Sequence, residues 1–357
     1  MSEILKLVLP EEVEKRHLQY FEENIKPKLL EVNILWSEGV YQSYHKEFIN
    51  YCYEELETIA IGKPGELKSF YYNLPPLAKK ILDTNPVISK GFTYRDFINT
   101  LFGYDDFSSL NKYVSEELLK DFNNFEANYI KEKWTPYTLL FLSGIRVCPY
   151  CNRQYITPLY QHSNKTNKKV KLRADLDHFY PKFKYPYFSM SLYNLVPCCK
   201  FCNTSLKGTK EFTFDDLNPY EKNFNDYFKF KIDVFNKDKV LLDKKDKRVE
   251  NYLDIFQIQN LYHYHKNQAT ELIHKKYMYP DTYINELFGE YVEYFNSREE
   301  LKGLLIGHVT KKDDINNEVF SKFRRDISMQ LGFIKDEVSS ELIVELEKLI
   351  EDKKFNL

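Results

Sequence analysis

Two Cys-x-x-Cys knuckles, Cys148-Pro149-Tyr150-Cys151 and Cys199-Lys200-Phe201-Cys202, stand 47 residues apart in a chain of 357 residues. Thiolates three positions apart on a tight turn chelate one ion, and two such pairs complete the tetrahedral four-thiolate shell that structural zinc prefers. A single pair would leave a redox dithiol or merely buried thiols open. Two pairs favour Zn2+ held by Cys148, Cys151, Cys199 and Cys202. Cys198 is the spare, because the x2 spacing of Cys199 and Cys202 matches the first knuckle better than its own x3 spacing. Cys52 and His45, isolated in a helical stretch, read as packed or surface residues. Around the knuckles lies a polar set: Leu176-Asp177-His178, then Ser191-Leu192-Tyr193-Asn194-Leu195-Val196, then Asn203 directly after the last cysteine, with Lys207 four residues on.

In that order, Asp-His, an internal Asn and Cys-x-x-Cys-Asn-x-x-x-Lys behind an upstream Cys-x-x-Cys resemble the zinc-braced HNH endonucleases of the ββα-metal, or His-Me finger, superfamily. The resemblance spans about residues 145–212 and implies hydrolysis of a phosphodiester. That reaction needs a base for the attacking water, and an imidazole with an ordinary pKa of about 6.5 suits neutral pH, which assigns the role to His178. Negative charge grows on the leaving and non-bridging oxygens, where a hard divalent cation neutralises it, with Asp177 and Asn203 as its oxygen ligands. By the same resemblance, the amide of Asn194 braces the loop whose carbonyl orients the base. Asn203 departs from the family name, standing where a second histidine would be. A carboxylate with a carboxamide favours Mg2+ or Mn2+ over zinc or nickel, so two different metals are expected. Neighbouring residues on a strand point to opposite faces, so Asp177 and His178 serve one site only if the strand ends or twists there.

The elements that must position this set read as α+β: a mostly helical protein with an inserted zinc-braced ββα finger and a small β-hairpin. Three parts are expected, at residues 1–144, 145–220 and 221–357. In the first, Leu18, Phe21 and Ile25 precede Pro27, which stops a helix, and Trp36–Ile61, Tyr94–Phe102 and Ser115–Ile130 follow as helical stretches. Lys63-Pro64-Gly65, Pro75-Pro76 and Gly103 break them. In the third, Phe228, Phe230, Ile232 and Val234 alternate with Lys229, Lys231 and Asp233, the period of a half-buried strand that Asn236-Lys237-Asp238 turns back into Val240-Leu241-Leu242. Asp281 is expected to cap a helix burying Ile284, Leu287, Phe288, Tyr291, Val292 and Phe295, and a last helix from Ser339 or Ser340 to bury Leu342, Leu346, Leu349 and Ile350. His263 and His265 fall on different helix faces, which argues against a joint metal site.

The net charge of -2 conceals a local asymmetry. Residues 161–210 hold ten Lys or Arg against Asp175 and Asp177, a balance of +8 that suggests a polyanion site. Lys182, Lys184, Lys207 and Lys210 are the nucleic-acid-binding candidates, DNA being the expected substrate. The run from His162 to Lys169 reads either as a basic hairpin tip against a nucleic-acid backbone or as a solvated loop. Tyr180, Phe183, Tyr185, Tyr187 and Phe188 either stack on bases or, in a chain with 29 Tyr and 27 Phe, pack the interior. Lys322, Arg324 and Arg325 read equally as phosphate contacts or as a solvated helix face. A non-catalytic zinc-binding module that binds nucleic acid, and an RNA-cleaving (tRNA) nuclease, are the alternatives. The layout is similar to the HNH subunits of bacterial anti-phage defence systems such as the Septu type, which implies an ATPase partner, since the chain has no phosphate-binding Gly-x-x-x-x-Gly-Lys loop of its own. With no signal-peptide core at the start and no apolar run long enough to span a bilayer, a cytoplasmic protein without a membrane partner is expected.

Overall fold

A computed structural model describes residues 6–32, 39–109, 134–163, 168–233, 239–307 and 316–334. Helices predominate, joined by antiparallel two-stranded sheets. Contacts group the chain into one unit of Leu7–Ile145 with Ile156–Lys222, and another of Met1–Lys6, Arg146–Tyr155 and Asn223–Leu357. Residues 145–220, one segment by sequence pattern, are thus shared: the first knuckle packs with the C-terminal residues and the rest with the N-terminal helices.

The first unit opens with α1 (Glu11–Asn24), α2 (Lys26–Glu31), α3 (Gly39–Glu54), α4 (Leu56–Ile61), α5 (Pro64–Tyr72) and α6 (Pro76–Thr84). Pro10 fixes the extended entry to α1, acids Glu11, Glu12 and Glu14 sit in its first turn where the helix dipole favours them, and Val13, His17 and Phe21 are its buried face. A hairpin of β1 (Val87–Ser89) and β2 (Phe92–Thr93) leads into α7 (Tyr94–Phe102), found with the bounds read from the sequence. Its start is a capping box in which the Asp96 carboxylate accepts from Thr93 N at 2.9 Å and the Thr93 hydroxyl accepts from Asp96 N at 3.4 Å. Its end is Gly103, whose φ of +69° is left-handed backbone that favours glycine, and the turn it makes delivers Tyr104 as the first residue of α8 (Tyr104–Ser109). After α9 (Pro136–Ser143) come the antiparallel pairs β3 (Leu159–Ser163) with β4 (Lys168–Leu172), and β5 (Asp175–His178) with β6 (Leu195–Cys198). The His162–Lys169 run straddles the β3–β4 tip, of which residues 164–167 lie outside the described part.

Between β5 and β6 the chain makes a loop whose rings enter the helical core. Tyr187 lies 5.8 Å from Phe48 and 5.5 Å from Phe70, and Phe188 lies 5.4 Å from Phe70, centroid to centroid. Burying one such ring contributes roughly 1.5–3 kcal/mol, so α3 and α5 hold this loop firmly. Tyr180, Tyr187 and Phe188 are therefore interior residues, whereas Phe183 is exposed.

In the second unit, β7 (Phe228–Ile232) pairs with β8 (Val240–Lys244) and turns Phe228, Phe230 and Ile232 inward, as the alternation predicts. The expected turn at 236–238 lies outside the described residues, as do the expected helices at 115–130 and from 339 onward. Helices α10 (Glu250–Ile255), α11 (Ile258–His263), α12 (Lys266–Met278), α13 (Asp281–Glu290), α14 (Arg298–Ile306) and α15 (Ser321–Gln330) follow. Two sequence expectations are corrected here. The stripe on α13 buries only Ile284, while Tyr291 and Val292 are exposed, because the helix stops at Glu290, one residue past Gly289, and its periodicity stops with it. Lys322 and Arg325 are buried, so they form neither a solvated face nor a phosphate contact. No helix among the described residues is long and apolar enough to cross a membrane.

Candidate metal and catalytic site

The sulfurs of Cys148, Cys151, Cys199 and Cys202 all lie within 4.8 Å of one another, and all four residues are buried. These four sulfurs could hold a metal ion such as zinc, and the fit is chemical as well as geometric: sulfur donors screened from water suit a borderline-soft ion. The first knuckle is shaped locally by Cys148 N donating to Gln154 O at 2.9 Å and by Asn152 N donating to Cys148 O at 2.8 Å, with Asn152 at a φ of +49°. The Tyr150 ring is stacked 4.3 Å from Phe256. The second knuckle closes on itself, Cys202 N donating to Cys199 Sγ at 3.4 Å and Asn203 N to Cys199 O at 3.1 Å. Cys198 is left outside the cluster, and burial pushes its thiol well above the ordinary value, so it stays protonated.

His178 is the last residue of β5, opposite Leu195. Its Nε2 lies 2.9 Å from Ser189 O in the ring-anchored loop. A carbonyl only accepts, so Nε2 carries the proton and Nδ1 is left with the lone pair. Burial pushes the imidazole down to about 4, outweighing the Ser189 hydrogen bond and the Asp177 carboxylate, which pull the other way. At neutral pH the ring is thus neutral, though a weaker base than the ordinary imidazole expected from the sequence. Tyr104 stands edge-on to it at 4.3 Å between centroids and donates its hydroxyl to Leu176 O at 3.2 Å.

Asn194 holds the loop that carries Ser189. Its Nδ2 donates to Phe188 O at 2.9 Å and to Tyr180 O at 3.1 Å, and its Oδ1 accepts from Tyr180 N at 2.6 Å. The buried amide therefore clamps both ends of the loop, and no apolar residue of its size could satisfy those three backbone groups. A second support comes from α1. His17 Nε2 donates to Met190 O at 2.7 Å, and its Nδ1 accepts from the Trp134 indole at 3.0 Å. Burial holds this imidazole at about 4, which keeps it neutral and its two nitrogens in those roles.

The oxygen donors stand along β5 ahead of His178, the residue at which the strand ends. Asp175 and Asp177 alternate along the strand and so share a face. Asn203, in the π-helical segment Phe201–Lys207, donates Nδ2 to Asp175 Oδ2 at 3.1 Å. Asp177 is engaged by Lys207, whose ammonium lies 2.8 Å and 2.7 Å from the two carboxylate oxygens and 2.6 Å from His178 O. Two carboxylates, a carboxamide and a carbonyl make an oxygen-rich set that fits a hard divalent cation, and the Lys207 ammonium offsets the charge of one of the two carboxylates. Lys207 is accordingly turned inward. Lys182 pairs with Asp105 at 3.1 Å and lies 5.4 Å from the Tyr104 ring centroid, Lys184 pairs with Glu211, and Lys210 is exposed. In the other unit, His265 Nε2 accepts from Arg153 Nε at 3.1 Å, and His263 is exposed.

The sequence reading did not single out Asp175, Ser189, Tyr104 or His17. The two-residue spacing of Asp175 from Asp177 was a usable signal for the first. The others are brought in by the loop and by α1 and α8, across 72 residues for the Tyr104–Leu176 bond and 173 residues for the His17–Met190 bond. Comparison with protein-family models, with curated proteins and with solved structures returns no match.

Proposed function

We propose that this chain is an endonuclease of the HNH kind, hydrolysing phosphodiester bonds of nucleic acid, DNA in the first place. The observation that carries the reading is the arrangement around the base. Asn194 clamps both ends of one loop, and the Ser189 carbonyl of that loop receives the Nε2 proton of His178. A half-buried imidazole with one nitrogen so fixed presents the other, Nδ1, as a base toward water. As the proton arrives, the Ser189 carbonyl stabilises the imidazolium that forms, and Asn194 keeps that carbonyl in register. Tyr104 packs against the ring and limits its rotation. Asp177 and Asn203, with Asp175 beside them, would hold a divalent cation, Mg2+ or Mn2+, which supplies charge neutralisation at the scissile phosphate. Zinc in the cysteine cluster would brace the segment on which Asn203 and Lys207 stand. By resemblance to the anti-phage subunits, the proposal extends to defence against phage beside an ATPase partner.

The test is plasmid nicking by zinc-loaded protein with Mg2+ or Mn2+, the parent against His178→Ala. Nicking by the parent and its loss in a folded, zinc-loaded variant support the assignment. Equal cutting by both overturns His178 as base. No cutting of DNA or of a tRNA substrate by either leaves the zinc-binding nucleic-acid module as the reading.

A further inference from the structure

Lys207 ends the π-helical segment, in which Gly208 N donates to Asn203 O at 2.9 Å. A π turn holds one more residue than an α turn, and it brings this lysine, rather than a neighbour, over β5. Its ammonium and the Asp177 carboxylate are 5% and 6% exposed. An ammonium has three N–H donors, and here they meet three oxygens: both of Asp177 and the carbonyl of His178. Those oxygens are what a hard cation seeks, and Asp175 with Asn203 continues the set at its half-exposed edge. A phosphate could be contacted by this ammonium only after it has left Asp177.

We infer that Lys207 is a resident stand-in for the divalent cation, balancing Asp177 while the site is idle and competing with the incoming metal for the same oxygens. The ammonium already occupies both Asp177 oxygens, so a cation that takes them displaces it. The expelled ammonium then sits beside the metal, where a bound phosphate is its natural partner. Cation binding and nucleic-acid binding therefore favour each other, and by linkage they do so reciprocally. The inference rests on the nuclease reading for the identity of the cation site, but its test involves no cleavage.

The test is Mn2+ binding to the zinc-loaded full chain without nucleic acid, followed by electron paramagnetic resonance. Lys207→Met should bind Mn2+ at least about tenfold more tightly than the parent, and its melting temperature should rise with added Mn2+ more than the parent's. Asp177→Asn/Lys207→Met should lose that response. Equal or weaker Mn2+ binding by Lys207→Met overturns the inference. Should that variant fail to fold, the Nζ resonance of Lys207 in the parent decides: a protected ammonium signal that shifts or disappears on saturation with Mg2+ supports displacement, and an unchanged signal overturns it. A parent that nicks no nucleic acid yet shows this competition refutes only the nuclease reading. One that nicks without competition refutes only the role of Lys207.

Discussion

Among the described residues, each unit buries a lysine–aspartate pair, and the two pairs differ in what surrounds them. In the second unit, Lys322 and Asp326 are four residues apart on α15, 2.8 Å from each other and 1% exposed on both sides. Lys322 Nζ also donates to Phe228 O at 3.0 Å and lies 4.6 Å from the Phe228 ring centroid, while Asp326 accepts from Phe230 N at 2.9 Å. Rings and backbone seal this pair, which fastens β7 to α15. Burial pulls the Lys322 ammonium below its ordinary value, against the pull of Asp326. In the first unit, Lys207 and Asp177 are 30 residues apart, and their neighbours are His178, Asp175 and Asn203, a polar rim that is half-buried. The same two side chains make a rivet where apolar groups close over them, and in the proposed reading an exchangeable ion site where other oxygen donors and the His178 imidazole stand alongside.

The pairs share one dependence, because each follows a knuckle. Asn152, next to Cys151, accepts from Lys322 N at 3.0 Å and from the Ser321 hydroxyl at 3.1 Å, while Lys207 closes the segment Phe201–Lys207, which carries Cys202. Stripping zinc with a chelator should therefore have the largest effect, withdrawing on the order of 10 kcal/mol of binding energy that doubles as folding energy. Loss of cooperative melting checks it, and a chelated chain that melts as before would remove zinc from the account. Next comes Lys322→Met, which should cost about 3–5 kcal/mol by stranding the buried Asp326 carboxylate, with no recovery in Mn2+. Recovery in Mn2+ equal to that of Lys207→Met would erase the contrast between rivet and ion site. His178→Ala should slow nicking by about 10²–10⁴-fold while leaving melting and Mn2+ binding close to the parent's. Asn194→Ala should slow nicking by about 10–100-fold, acting through the loop, and here the pH profile should change along with the rate.

The smallest effect is on pH. The imidazoles of His17 and His45 are held at about 4 by burial, against an ordinary 6.5. An unfolded chain takes up protons near 6.5 that the folded chain refuses until about 4. The contribution of the neutral rings is thus fully present above 6.5 and is lost as pH falls toward 4. Urea melts at pH 7 and pH 5 should show the decrease, and His17→Gln should lessen it. The activity assigned to His178 should likewise keep its acid limb near 4 instead of near 6.5.

The sequence by itself determined what is local or depends on residue type. Sulfur spacing announces a four-thiolate cluster, since ligand chemistry tolerates few alternatives. Thr93 with Asp96 and Gly103 bound α7, because caps and left-handed turns depend on neighbours in the chain. Period-2 alternation turns Phe228, Phe230 and Ile232 inward. The conjunction of His178, Asn194 and Asn203 was legible as a set of residues. Tertiary structure alone decided their partners. Asn203 bonds Asp175, the charge on Asp177 is met by Lys207 and not by solvent, and α1 and α8 supply His17 and Tyr104 to the loop and the His178 ring. Side-chain type carries no record of which distant group folds against it. A lysine in a basic stretch reads as a surface charge until packing buries it on a carboxylate, and an apolar stripe such as that of α13 counts only as far as the helix continues.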